Sequence, residues 1–266
     1  EGTLDSNHVF SSEIMDEEII AETHSPKYIE ALKQGSINKR DFKAVGFPYS
    51  PKLVEREFII TYGTIQCALN ALKDGFALNV AGGTHHAFYE HGEGFCIFND
   101  IAVSSNYLLN RNLVKQILVV DLDVHQGNGT ASLLQDESRV FTFSMHGLKN
   151  YPARKQNSNL DIALENKTGD DEYLSILRKK LPQLVDMVKP DFVFFQSGVD
   201  ILKTDKLGKL ALSKQGCYHR DDEVISSLYA KGIPGIAVMG GGYSPRLADV
   251  VEAHCNTYRL AAKYYN

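Results

Sequence analysis

The chain has 266 residues, with 28 Lys and Arg against 33 Asp and Glu and a formal charge of -5, a length that fits one large domain or two small ones. A hydrophobic fraction of 43% with only 8 prolines excludes a disordered or collagen-like chain, and a chain this long buries a core without disulfide staples. The mild acidity argues against a nucleic-acid binder built on a basic face, though not against a basic partner at a local acidic patch.

The region before Leu53, with Gly46, Pro48 and Pro51, reads as a loop-rich rim over a sheet. Leu53 to Asp74 carries apolar residues at three- and four-residue spacings and stops near Gly75, as a helix does. Phe76 to Ala81 is the first short apolar run. Asp100 opens a helix to about Arg111, and the runs Ile117 to Val120 and Val140 to Phe143 follow. Gly147 to Lys167 is too long and irregular for an ordinary connection and reads as a functional loop. Asp170 to Val188 is helical and ended by Pro190, with Pro182 predicting a kink or break. Phe192 to Phe195, a helix over Tyr218 to Ala230, Ile236 to Met239 and a helix over Pro245 to Tyr265 complete the chain. The apolar runs have the length of buried parallel strands. The alternation predicts a single α/β domain over residues 1–266: an open, mainly parallel sheet with helices on both faces.

Cys67, Cys96, Cys217 and Cys255 form no Cys-x-x-Cys pair, which argues against a thiolate zinc site and for a reduced, intracellular protein. No apolar run approaches a membrane span. Glu1-Gly2-Thr3-Leu4-Asp5 lacks both the basic start and the apolar stretch of a signal peptide. The expected compartment is the cytoplasm, or the nucleus in a eukaryote.

The chemistry lies after the runs. Gly82-Gly83-Thr84-His85-His86 follows the first, Asp121-Leu122-Asp123-Val124-His125 the second, Gln196-Ser197-Gly198-Val199-Asp200 the fourth and Gly240-Gly241-Gly242-Tyr243 the fifth. Ligands of parallel α/β sheets bind outside the carboxyl ends of the strands, so these groups should converge. Asp123 and His125, two apart on an extended segment, face one side. With Asp200 they make three protein ligands and leave an open position, as in a catalytic zinc site. The alternative is a hydrogen-bonded turn with solvated acids. Asp121 reads as an outer partner that orients a histidine or holds a monovalent cation, with a capping role as its alternative. A histidine of the His85-His86 pair is suited to carry a proton to a leaving amine. Tyr243 is suited to donate to an oxyanion, unless it is an ordinary core tyrosine. His91-Gly92-Glu93-Gly94-Phe95-Cys96 could line a narrow passage or serve as a hinge. His8, His24, His146, His219 and His254 show no ligand spacing, and His146 alone is placed near the site.

Taken in order, these stretches resemble the histone deacetylase family of zinc-dependent amidohydrolases, which also contains acetoin-utilisation proteins and acetylpolyamine amidohydrolases. The resemblance includes Gly92 to Asp100, Asp121 to Thr130, and Ser197 to Asp200 with Asp205-Lys206-Leu207-Gly208, and covers the chain from about Pro26 onward. Tyr49-Ser50-Pro51 is similar to the class IV branch and its bacterial relatives. The resemblance implies zinc on Asp123, His125 and Asp200, with iron(II) suiting the same ligands. It implies His86 as general base and acid, His85 as its electrostatic neighbour, and Tyr243 polarising the scissile carbonyl. It places Gly94, Phe95 and Gly242 along the acyl-lysine channel, and gives Asp121 the support of His85 and, with Ser144, a structural potassium ion. Asn128 stands where many class I members have an aspartate behind the second histidine, and the short N-terminal part makes the rim the least transferable region.

The implied function is hydrolysis of an N-acyl amide, N6-acetyl-lysine or a related acylated amine, by metal-activated water. Partners are an acylated lysine peptide or small amine, with no nucleic acid and no membrane; the oligomeric state is left open. Rival readings are an acetylpolyamine amidohydrolase, a di-manganese arginase-like ureohydrolase, disfavoured because Gly127 stands where a further ligand is wanted, and a non-catalytic acyl-lysine binder. Strand ends from residue 82 to residue 243 must meet at one site, which removes the two-domain option.

Overall fold

A computed structural model describes residues 3–12 and 15–265. Among them, Phe76–Asn79 (β1), Ile117–Asp121 (β2), Val140–Gly147 (β3), Leu160–Leu164 (β4), Phe192–Gln196 (β5) and Gly235–Val238 (β6) form one sheet in the order β1-β6-β5-β2-β3-β4. Every pairing is parallel. The helices are Glu18–Ala21 (α1), Pro26–Gln34 (α2), Lys39–Phe42 (α3), Pro51–Asp74 (α4), Asp100–Asn110 (α5), Asn128–Leu134 (α6), Asp170–Val188 (α7), Lys214–Lys231 (α8) and Leu247–Tyr265 (α9).

β2 and β5 are buried along their whole length, so both faces of each must be apolar. Alternate residues divide between two cores. Leu118, Val120, Val193 and Phe195 pack with α7, α8 and α9. Ile117, Val119, Phe192 and Phe194 pack with α4, α5 and Leu134 of α6. This two-residue alternation puts helices on both faces of one sheet. From β2 the chain moves outward to β3 and β4, and from β5 it moves the other way to β6. The boundary between β2 and β5 is therefore the switch point where an open sheet leaves a crevice.

Several boundaries differ from the sequence-based expectation. β1 stops at Asn79, because the Asn79 amide donates to Ile60 O and Thr64 Oγ1 and accepts from Ala81 N, turning the chain toward Gly82. β3 extends to Gly147 because β4 pairs with it from Phe143 onward. β4 lies inside the stretch read as irregular; it is an edge strand with alternating exposure, and its short run Leu-Asp-Ile-Ala-Leu carries little apolar signal. Pro182 sits inside α7 without breaking it. α8 starts at Lys214 because Ser213 accepts from the Gly216 N–H and caps it. α6 was not anticipated. The region before Leu53 is not a bare rim: α1 to α3 bury Ile19, Ile20, Tyr28, Ile29, Leu32 and Phe42 in a third core with residues of α4. α4 itself begins with Ser50 accepting from Leu53 N and Pro51 in the first turn, and ends at Gly75 with φ +90°.

Candidate active site

β2 ends at Asp121, and the next residues bend instead of continuing as a strand. Extended geometry is therefore not what brings Asp123 and His125 together. The Asp123 N–H donates to Asp121 Oδ1, and the His125 N–H donates to Asp123 Oδ1 at 2.9 Å. Two successive aspartate turns of this kind coil the loop inward. Asp200 arrives beyond β5 and is completely buried. Its Oδ1 accepts from Val124 N at 2.9 Å. Its Oδ2 lies 3.0 Å from His125 Nδ1, and the same nitrogen is 3.1 Å from Asp123 Oδ1.

Ligand atoms of Asp123, His125 and Asp200 all lie within 4.8 Å of one another. Asp200 Oδ2 is buried with His125 Nδ1 nearby but no well-aligned donor, a cost that a bound cation removes. Burial and the neighbouring Asp123 charge push the Asp200 carboxyl up to about 7. Burial alone would lower His125, but Asp123 and Asp200 together raise it to about 10. Two buried carboxylates and one imidazole with a shared open side form a donor set that fits a divalent metal.

A buried arginine holds the two ligand loops from behind. Arg220 on α8 donates to Leu122 O and Gly198 O at 3.0 Å and to Ser197 O at 3.0 Å. Its Nε lies 2.5 Å from Asp221 Oδ1, and Asp221 Oδ2 accepts from Thr257 Oγ1. The Asp100 carboxylate plays the same part for the histidine loop, accepting from the N–H groups of Gly83 and Thr84 and from Thr84 and Thr64 hydroxyls.

Adjacent in sequence, His85 and His86 have opposite surroundings. His85 Nδ1 is 2.7 Å from Asp121 Oδ2. Burial opposes its charge, but the Asp121 and Asp123 carboxylates win and hold its pKa above the ordinary value. His86 Nδ1 is 2.6 Å from the Asn128 carbonyl oxygen, a neutral group. Burial and the His85 charge press its pKa well below the ordinary value. The site thus sets an imidazole biased toward its charged form beside one biased toward its neutral form.

One cavity of about 260 Å³ connects these groups. Its floor is formed by His85, His86, Asp123, His125, Asp200 and Tyr243. Phe47, Phe95 and Val80 line it on the solvent side, and buried Glu57 also borders it. Burial and the Asp123 and Asp200 charges raise Tyr243 strongly, so its phenol stays protonated and can donate. Phe95 is a non-glycine residue at φ +68°, a conformation that is rare outside glycine and collects at functional sites. Gly94 is required: a Cβ there would lie 2.6 Å from the His86 ring. Gly242 does not line the cavity. A Cβ on it would meet Val199 and Val250, whereas Gly241 is in the lining. Ser144 pairs with Asp121 across β2 and β3, its hydroxyl 2.9 Å from His146 Nδ1.

Residues that sequence reasoning missed are Arg220, Asp100 in its anchoring role, and Tyr151. Tyr151 packs edge-on to His86 with ring centroids 4.9 Å apart. Asp100, next to a glycine-rich motif in the resemblance, and Tyr151, inside the stretch read as a functional loop, offered a signal; Arg220 offered none.

The family model described as histone deacetylase domain matches residues 1–258. An uncharacterized protein of Picosynechococcus sp. is 43% identical over 100% of this chain and 88% of its own length. Histone deacetylase 2 of Arabidopsis thaliana is 32% identical over 86% of this chain, which spans 61% of that relative. The crystal structure of an HDAC homologue complexed with SAHA superposes with a TM-score of 0.85 at 24% identity, over 98% of this chain and 74% of that one. Among the described residues no helix is long and apolar enough to cross a membrane.

Proposed function

The chain belongs to the histone deacetylase family and is an enzyme of deacetylase type, and from this premise we propose that it removes an acyl group, acetyl first, from N6-acyl-lysine or a related acylated amine. The observation that carries the reading is the meeting of Asp123, His125, Asp200, His86 and Tyr243 on one cavity floor.

Asp123, His125 and Asp200 would hold the metal, zinc by preference and iron(II) by the same donor set. When bound, the metal supplies Lewis acidity and a more acidic water. His86, neutral and buried, takes the proton of the attacking water and returns one to the leaving amine. His85, biased toward its charged form by Asp121, steadies the developing negative charge, and the Tyr243 hydroxyl donates to the carbonyl oxygen as it becomes an oxyanion. Gly94 and Phe95 line the entry for the acyl-lysine stem. Asp121 and Ser144, hard oxygen donors side by side, are the pair that would hold potassium.

The test is a hydrolysis panel on the zinc-loaded full chain: acetyl-lysine peptide, longer acyl-lysine peptides and acetylpolyamines, with and without SAHA. Turnover of acyl-lysine that SAHA suppresses supports the reading. Turnover confined to acetylpolyamines moves the substrate class, and no amide hydrolysis at all overturns it. One metal per chain is expected, because the described residues hold one such cluster; two per chain would favour the arginase-like alternative.

A further inference from the structure

We infer that Glu93 is a positioning residue for the acid–base histidine and acts through the Asn128 amide; this rests on the reading of His86 given above. Asn128 is buried at the start of α6. Its Oδ1 lies 2.6 Å from His86 Nδ1, and its Nδ2 donates to Glu93 Oε1 at 2.7 Å. A side-chain amide has one accepting and one donating end, and rotating it by half a turn exchanges them. A carboxylate only accepts. With Glu93 in place, the flipped amide would set oxygen against oxygen, so the NH2 end must face Glu93 and the carbonyl must face His86. An imidazole nitrogen beside a carbonyl has to carry its proton. His86 is thereby fixed with hydrogen on Nδ1 and with Nε2, across the ring, bare and able to accept.

The arrangement differs in kind from that of its neighbour. Asp121 touches His85 directly and supplies it with charge. Glu93 is separated from His86 by the length of one amide, so it dictates which nitrogen is protonated without pressing a full negative charge against the ring. The residue is itself well anchored. It opens a tight turn in which Gly94 and Phe95 both have positive φ and the Cys96 N–H donates to Glu93 O at 2.9 Å. Burial raises the pKa of the Tyr151 phenol, and the Glu93 carboxylate is near enough to raise it further. One carboxylate thus ties the turn bearing Phe95 and the first residue of α6 to the base.

The test uses the zinc-loaded full chain with 15N-labelled histidine. Glu93→Gln has the same shape but can present either end of its amide to Asn128. A fall in kcat of about ten- to a hundredfold is expected, a fraction of the roughly 10²–10⁴ that acid–base catalysis supplies. KM should hold within about twofold, Tm should stay near wild type, and a second His86 ring population protonated on Nε2 should appear in the nitrogen spectrum. Asn128→Asp places a carboxylate directly on His86 and makes Glu93 dispensable, so adding Glu93→Gln to it should cost no further activity. Wild-type kcat with a single, unchanged His86 tautomer in Glu93→Gln overturns the inference, as does an effect confined to KM. His86→Ala separates the two levels: if it keeps wild-type turnover, the reading of His86 itself fails, whatever Glu93 does.

Discussion

At the cavity floor, side-chain oxygens meet buried partners. Asp123 accepts from His125 N and Gly241 N, Asp200 accepts from Val124 N, and Arg220 clamps three carbonyls behind them. At the mouth, Phe47, Phe95 and Tyr151 stand 37%, 40% and 42% exposed and touch one another or the histidines through ring contacts. The floor is held by directional bonds in a dry interior, where a displaced atom is expensive. At the mouth the backbone turn is hydrogen-bonded but the rings themselves meet through apolar contacts that tolerate rearrangement. Chemistry should therefore be brittle to substitution at the floor, and substrate choice should be graded at the mouth.

The sharpest way to break this contrast is Asp200→Ala. It should abolish retention of zinc after dialysis, and turnover with it; one retained zinc and wild-type activity would show that the floor is not the metal centre. Tyr243→Phe should lower kcat by about 10²–10³, the usual worth of one oxyanion donor, with zinc content unchanged. Unaltered turnover would remove Tyr243 from the reaction. Arg220→Lys keeps the charge but loses the planar fork that reaches three carbonyls. Zinc affinity should fall by about 10–100-fold, as for other groups that orient ligands; equal affinity in a competition titration would mean the ligand loops hold themselves. Phe95→Ala, at the mouth, should raise KM a few-fold and leave kcat nearly intact, since a half-exposed ring contributes about 1 kcal/mol to a contact. A kcat collapse there would erase the distinction between the two regions.

The smallest effect concerns Glu57 in the cavity lining. Burial lifts Glu57 to about 7, against the pull of Arg56. The folded value lies above the 4.5 of an unperturbed glutamate, so folding favours the protonated form. Its contribution to stability is present below pH 4.5 and is lost as pH rises to about 7. Glu57→Gln should flatten that portion of the Tm–pH curve, and an unchanged curve would show that Glu57 is already ionised in the fold.

Why the floor could be read from sequence and its supports could not follows from the same geometry. Asp123, His125, Asp200 and Tyr243 each come shortly after a run of apolar residues, and strand-end position carries information that survives without coordinates. Arg220 reaches Leu122 across 98 residues, and Asn128 reaches Glu93 across 35. Neither has a local pattern, because each partner is chosen by tertiary packing. β4 escaped because one side of an edge strand has no neighbour and Asp161 interrupts its apolar alternation only weakly. The N-terminal helices escaped because they are short, and their apolar residues acquire meaning only against α4. β2 and β5, buried on both faces, were the plainest elements, and they are the two that flank the crevice.

Two glycines at the floor bear on how such a chain could change over evolutionary time. A Cβ on Gly198 would lie 2.0 Å from Asp123 Oδ2, and one on Gly241 would lie 2.2 Å from Asp200 Oδ2. Neither glycine has positive φ, so alanine suits the backbone at both and would stiffen the unfolded chain by about 0.4–1 kcal/mol in favour of folding. What opposes alanine first is the carboxylate seat, joined at Gly241 by the Tyr243 ring. A single methyl group at either position would push aside a carboxylate of the candidate metal cluster. On the function proposed above, loss of the metal seat is thus one codon away: Gly198→Ala or Gly241→Ala should displace Asp123 or Asp200.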